Sequence, residues 1–158
     1  HDGAYAMRAA ASMRSCYVSV SGSTVHMRAY FFVDSASASA EIMRLSAGSN
    51  LAALVKRTST GALQPGYLGG GSVVYLAGAA GAMPLDSWHC IELRAVIGSS
   101  GAYSVWLDGV EISALRVTGV DNDNYGLITR GYVGCIYSSG SADVYVDCAA
   151  VSKTYIGP

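Results

Sequence analysis

Residues 88–111 read WHCIELRAVIGSSGAYSVWLDGVE, and this stretch decides the fold. Ile91, Leu93 and Ala95 alternate with Glu92, Arg94 and Val96. After Gly98-Ser99-Ser100-Gly101, Tyr103, Val105 and Leu107 alternate with Ser104, Trp106 and Asp108. Successive strand side chains point to opposite faces, so this alternation on both sides of a short Gly/Ser loop describes a half-buried β-hairpin. Asp108-Gly109 is a second tight turn, because Gly tolerates positive φ and Asp bonds its own turn backbone. The chain is expected to turn there and continue as a strand from Val110 to Val117.

On the N-terminal side, Val25 to Val33 is the longest strand candidate. Val25, Met27, Ala29, Phe31 and Val33 share one face, and His26, Arg28, Tyr30 and Phe32 share the other. Large groups on both faces mark a central strand with core on one side and a partly covered surface on the other. Further strands are expected at Ala4–Ala10, Cys16–Val20, Val73–Leu76, Leu127–Tyr137 and Val144–Val151. Glu41–Leu45 and Leu51–Thr58 read as a hairpin around Gly48-Ser49-Asn50, with a short helix at Leu51–Arg57 as the competing reading. Gly61 to Gly71, with Pro65 and its glycines, reads as a loop, as does Gly78 to Asp86. Short strands with turn signals every eight to twelve residues predict one all-β domain over residues 1–158, an antiparallel β-sandwich or jelly roll with little or no helix.

Composition agrees. Hydrophobic residues are 51% and charged ones 13%, too apolar a balance for disorder. The 19 glycines and 11 tyrosines suit turn-rich β structure, since Gly weakens a helix interior by about 1 kcal/mol. A net charge of −1 gives no field to draw nucleic acid or an acidic membrane, so neither is an expected partner. No apolar run reaches the roughly 20 residues a spanning helix needs; Val73 to Leu85 is broken by Gly78, Gly81 and Pro84.

Cys16, Cys90, Cys135 and Cys148 all fall in expected strands and form no C-x-x-C motif, which argues against a zinc knuckle. They read as small buried hydrophobes or as one or two bridges in an oxidising setting. If the last two strands pair around Gly140-Ser141, Cys135 and Cys148 share a face, which makes them the disulfide candidate.

Five segments in order carry a family likeness: HDGAYAMRA (1–9), HMRAYFFVDS (26–35), SWHCIELRAV (87–96), AYSVWLDGVEI (102–112) and VYVDCAAVSKTYIGP (144–158). Together they resemble the concanavalin A-like jelly roll in its laminin-G-like branch. The resemblance covers nearly the whole chain. It implies an opening strand before the segment that starts at His1, supplied upstream or by another chain, and hence assembly through an unpaired sheet edge. The family hosts lectins, adhesion modules, polysaccharide lyases, glycosidases and virion surface or tail domains, so the fold alone does not choose a function.

Enzyme motifs are thin. A glycosidase needs two carboxyls flanking the sugar bond. Glu41, Glu92 and Glu111 start no Glu-x-Asp-x-x-Glu strand of the kind the resemblance would imply. The pair Glu92 and Asp108 shares a face, with solvated strand charges, Glu92 near Arg94, as the plain alternative. His26, Arg28 and Tyr30 alternate on one strand and form the most lyase-like set, but the Gln-x-His strand of such lyases is absent. Gly-x-Ser-x-Gly, the P-loop and His-Glu-x-x-His are also absent. His89 lies in register with Ile91 and Leu93 and reads as a tucked structural histidine. No cofactor is called for. An EF-hand at Asp121 fails because Tyr125 and Tyr132 stand where oxygen ligands are needed, and the resemblance leaves a looser calcium site at Asp121 and Asp123 at the sandwich rim.

Glycan binding asks for less: an exposed aromatic platform and a few planar hydrogen-bonding groups. Trp106 faces outward between Val105 and Leu107, with Glu92 and Arg94 on the neighbouring strand and Tyr30, Arg28 and Tyr145 as further candidates. The alternative is that a loop or a neighbouring subunit covers Trp106. The sequence therefore reads as a non-catalytic binding or adhesion module displayed outside the cell or on a virion, with a glycan or cell-surface polysaccharide as partner. A structural subunit of a virion or filament, built as a homo-oligomer or larger assembly, comes second, and a polysaccharide lyase third.

Overall fold

The computed structural model describes residues 6–10, 14–69, 71–79 and 82–158. Thirteen strands follow in order: β1 Met7–Ala10, β2 Arg14–Gly22, β3 Thr24–Ala36, β4 Ala40–Ala47, β5 Asn50–Arg57, β6 Leu63–Gly69, β7 Ser72–Tyr75, β8 Trp88–Val96, β9 Gly101–Leu107, β10 Val110–Glu111, β11 Val117–Val120, β12 Ile128–Ser138 and β13 Ala142–Ser152. Among the described residues the only helical pieces are single 3-10 turns at Ser113–Leu115 and Asp123–Tyr125. Residues 4 and 5 of the expected first strand lie outside the described residues.

Two antiparallel sheets form a sandwich. One runs β1-β13-β3-β8-β9-β10, with β11 also on β9; the other runs β2-β12-β4-β5-β6-β7. The core between them is built from the inward half of each alternating strand: Met27, Phe31, Met43, Leu45, Ile91 and Leu93 are each at most 1% exposed. The central hairpin forms as the alternation requires, with Ile91 opposite Leu107, Leu93 opposite Val105 and Ala95 opposite Tyr103. Asp108 and Gly109 take φ of 51° and 83°, the double positive-φ turn that the Asp-Gly pair favours. Strand β3 is central, hydrogen-bonded to β13 on one side and β8 on the other.

Four expectations need correction. Gly61 to Gly71 is not a loop: Leu63–Gly69 is strand β6, with Pro65 opposite Val55. Proline is tolerated because it is used as an acceptor, its carbonyl receiving the Leu76 N–H at 3.0 Å. The competing helix at Leu51–Arg57 is absent, since β5 is locked between β4 and β6. Val110 to Val117 is no continuous strand, because the 3-10 turn at Ser113–Leu115 buries Leu115 against the core. Strands β12 and β13 do not form a hairpin. The Ser139–Ser141 link crosses from one sheet to the other, so Cys135 and Cys148 sit in opposite sheets, one buried and one exposed, both as free thiols.

Candidate functional site

The residues singled out from sequence as glycan-binding or lyase-like sit on the outer face of the seven-stranded sheet. Register aligns Arg28, Glu92 and Trp106 across β3, β8 and β9, with His26, Arg94 and Ser104 in the next row. Tyr30 lies opposite Cys90, and Tyr145 opposite Phe32.

The chain itself covers the centre of this group. The segment Tyr155 to Gly157 folds back over it. Ile156 N–H donates to one oxygen of Glu92 (3.1 Å) and Gly157 N–H to the other (3.0 Å). Nδ1 of His26 also donates to Glu92, at 2.7 Å; a carboxylate only accepts, which fixes the direction. Arg28 Nη1 donates to the Gly157 carbonyl at 2.8 Å. The Tyr155 ring packs on Trp106 at 5.4 Å and meets His26 edge-on at 6.3 Å. Glu92 is therefore 2% exposed rather than a solvated charge beside Arg94, and its lone pairs are committed to the strap. The reading of Trp106 as covered by other protein is the one the geometry matches, with the chain's own segment as the cover.

His89 is tucked as its register implied, its ring held between Asp108 (2.9 Å) and Ser87 (3.0 Å). Asp108 also accepts the Cys90 N–H at 2.8 Å, which braces the turn. Asp121 and Asp123 flank Asn122, which is fully buried, its carbonyl accepting Gly98 N–H and its amide donating to the Tyr103 hydroxyl. Two exposed carboxylates supply few of the roughly six to eight oxygens calcium takes. Among the described residues no three His, Cys, Asp or Glu side chains gather to hold a metal.

The opposite outer face, on the six-stranded sheet, was not legible in the sequence. One row of directly opposed residues crosses all six strands: Tyr17, Tyr132, Arg44, Leu54, Gly66 and Tyr75. A neighbouring row holds Tyr137, Glu41, Lys56 and Gln64. Tyr17 is 61% exposed, Tyr75 49% and Tyr137 57%, so ring faces are open to solvent. The rings are interleaved with cations. Tyr17 lies 5.6 Å from Tyr132, Arg130 stands over Tyr17 at 5.4 Å, and Lys56 stands over Tyr75 at 5.4 Å. Gly66 makes the last contact possible, since a Cβ there would meet the Tyr75 ring at 3.1 Å.

Glu41 receives Arg44 in a two-point grip of 2.5 and 2.9 Å, and that hydrogen bonding holds the Arg44 guanidinium above its ordinary pKa despite partial burial. Arg130 is likewise raised by its contact with the Tyr132 hydroxyl, 3.4 Å away. Arg44, Lys56 and Arg130 outnumber Glu41, which leaves the face cationic although the whole chain is at −1. The local signal for this face was the alternation of Arg130 and Tyr132 with Gly131 and Val133; what joins them to Tyr17 and Arg44 is register.

The sequence matches no protein-family profile and no curated protein. Solved structures do match. The endo-β-1,4-glucuronan lyase of Trichoderma reesei superposes with a TM-score of 0.68 at 14% identity, over 98% of this chain and 83% of the lyase. Cellulose-induced protein Cip1 gives 0.70 at 16% identity, over 100% and 84%. The Caenorhabditis elegans galectin LEC-6 gives 0.62 at 15% identity, over 92% and 95%. The sandwich of two antiparallel sheets with this strand order is the concanavalin A-like jelly-roll fold that these structures share.

Proposed function

We propose that the chain is a non-catalytic glycan-binding module acting outside the cell, and that its binding face is the outer surface of the six-stranded sheet. The observation that carries this reading is the set of exposed tyrosines, Tyr17, Tyr75 and Tyr137, interleaved with Lys56 and Arg130, with Arg44 already gripped by Glu41. Tyrosine faces stack on the apolar faces of sugar rings, and guanidinium groups pair with carboxylates in two-point geometry. That combination suits an acidic polysaccharide, and one structural neighbour is by name a lyase of such a polymer, glucuronan. The seven-stranded face is the weaker choice because the strap already occupies Glu92 and Arg28.

Affinity electrophoresis and calorimetry against polyglucuronate, alginate and a neutral glucan test the reading. Retardation by the acidic polymers, weakened about tenfold or more in Tyr132→Ala and Arg130→Gln, is expected. No binding to either acidic polymer, or binding unaffected by Tyr132→Ala and Arg130→Gln, would overturn it. Ultraviolet absorbance of unsaturated uronate decides between binding and lyase action. The close Arg130–Tyr132 pair is the feature that favours the lyase, and turnover lost in Tyr132→Phe would make the enzyme reading correct.

A second reading, assembly through sheet edges as in a virion or filament subunit, draws on β7, exposed along all four residues, and on β2, exposed over most of its length. Concentration-dependent sedimentation, abolished by a charge placed at Val74, would favour it.

A further inference from the structure

The strap covers only one end of the outer seven-stranded face. At the other end, register lines up Arg8, Tyr145, Phe32 and Trp88 across β1, β13, β3 and β8. The rings are not coplanar. Phe32 meets Trp88 at 5.6 Å and 47°, and Tyr145 at 5.9 Å and 77°. Non-coplanar rings enclose a trough rather than a flat plate: an open cavity of about 400 Å³ lined by Phe32, Trp88, Tyr145 and Asp34. All three rings are half-buried, and the trough between them opens to solvent.

The charge at this trough differs from that of the opposite face. Arg8 stands over Tyr145 at 5.8 Å, but its guanidinium is already paired with Asp143 at 2.7 Å. Asp34 is exposed beside it. One guanidinium thus faces two carboxylates, and the group the trough presents to a ligand is the Asp34 carboxylate. A carboxylate accepts hydrogen bonds from vicinal hydroxyls and repels a uronate.

We propose that this trough is a second sugar-binding site, separate from the cationic face, and that it takes the apolar face of a neutral hexopyranose stacked between Trp88 and Tyr145 with Asp34 accepting its hydroxyls. The volume falls in the roughly 300–1,000 Å³ range of small-molecule sites. The inference stands whether or not the six-stranded face binds a polymer.

The test is a titration of intrinsic fluorescence with cellohexaose, laminarihexaose and mannohexaose. A saturable change with at least one of them is expected, because Trp88 is one of only two tryptophans and the other, Trp106, lies beneath the strap. Calorimetry of the variants should show affinity lower by about tenfold or more in Trp88→Ala and by a few-fold in Asp34→Asn, with Trp88→Phe retaining most of it. Tyr132→Ala, on the opposite face, should leave neutral-sugar affinity unchanged, which also confirms that the two sites fail independently. Circular dichroism melts serve as the control that each variant remains folded. No saturable response to any neutral hexaose would overturn the proposal. So would binding insensitive to Trp88→Ala and Asp34→Asn, or a Trp88-dependent preference for oligoglucuronate.

Discussion

Replacing Glu92 by Gln removes a charge and almost no volume, so its effect isolates the strap's anchor. The carboxylate accepts three hydrogen bonds, from His26, Ile156 and Gly157, at 2% exposure. Glutamine keeps one carbonyl oxygen and turns an NH2 toward a backbone N–H that needs an acceptor. Hydrogen bonds to a charged group contribute about 1.5–3 kcal/mol each, but they share one acceptor group and do not add. Breaking a buried pair on one side costs about 3–5 kcal/mol. With part of the bonding retained, we expect Glu92→Gln to lose about 3 kcal/mol. At roughly 2–4 °C per kcal/mol for a chain of this length, Tm falls by about 6–12 °C in scanning calorimetry. Strap release should also move Trp106 emission to longer wavelength, because Tyr155 leaves the indole. Glu111→Gln is the control. Its ion pair with Arg116 lies at the surface, where the Arg116 side chain is 55% exposed. Such pairs contribute about 0–1 kcal/mol. Equal and small Tm changes in the two variants would refute the anchoring role of Glu92.

Gly101→Ala should destabilise by about 1–3 kcal/mol. A Cβ there would lie 2.6 Å from the Val96 carbonyl and 2.4 Å from the Asn122 amide, and the carbonyl cannot move without opening the hairpin. A melt unchanged within a degree would contradict that packing. Thiol alkylation of the native protein should label Cys16 and Cys148 rapidly and spare Cys90 and Cys135, which are buried. Burial raises both of these thiols above the ordinary value, so they carry less thiolate at any given pH and their labelling should lag further toward neutral pH. Mass spectrometry after denaturation without reductant should then find all four thiols alkylated; a Cys135–Cys148 bridge would contradict the placement of β12 and β13 in opposite sheets.

The parts of the fold that sequence made legible are those written in local alternation. The β8–β9 hairpin, the Asp108-Gly109 turn that follows it into β10, and the central β3 all follow from period-two patterning and from what glycine permits. Strand β6 was hidden because Pro65, Gly66 and Gly69 mimic a loop, while its pairing partners lie in β5 and β7. The β12–β13 connection looked like a hairpin because a short polar link reads the same whether the chain returns beside itself or crosses to the other sheet. At the candidate sites the limit is sharper. Alternation placed Glu92 on the outer face correctly, but outward does not mean exposed. Its cover arrives from 64 residues away, in a segment without a pattern of its own. The cationic face is a property of register among β2, β4, β5, β7 and β12, and no local window contains Tyr17, Arg44 and Tyr132 together.

The most direct measurement is a residue-resolved one: amide chemical shifts of labelled protein titrated with short polyglucuronate fragments. Binding at the six-stranded face predicts saturable shifts concentrated at Tyr17, Arg44, Lys56, Tyr75, Arg130 and Tyr132, with Glu92, Trp106 and the Tyr155–Gly157 strap unmoved. Shifts confined to the Trp106 row, or none at any residue, would contradict it.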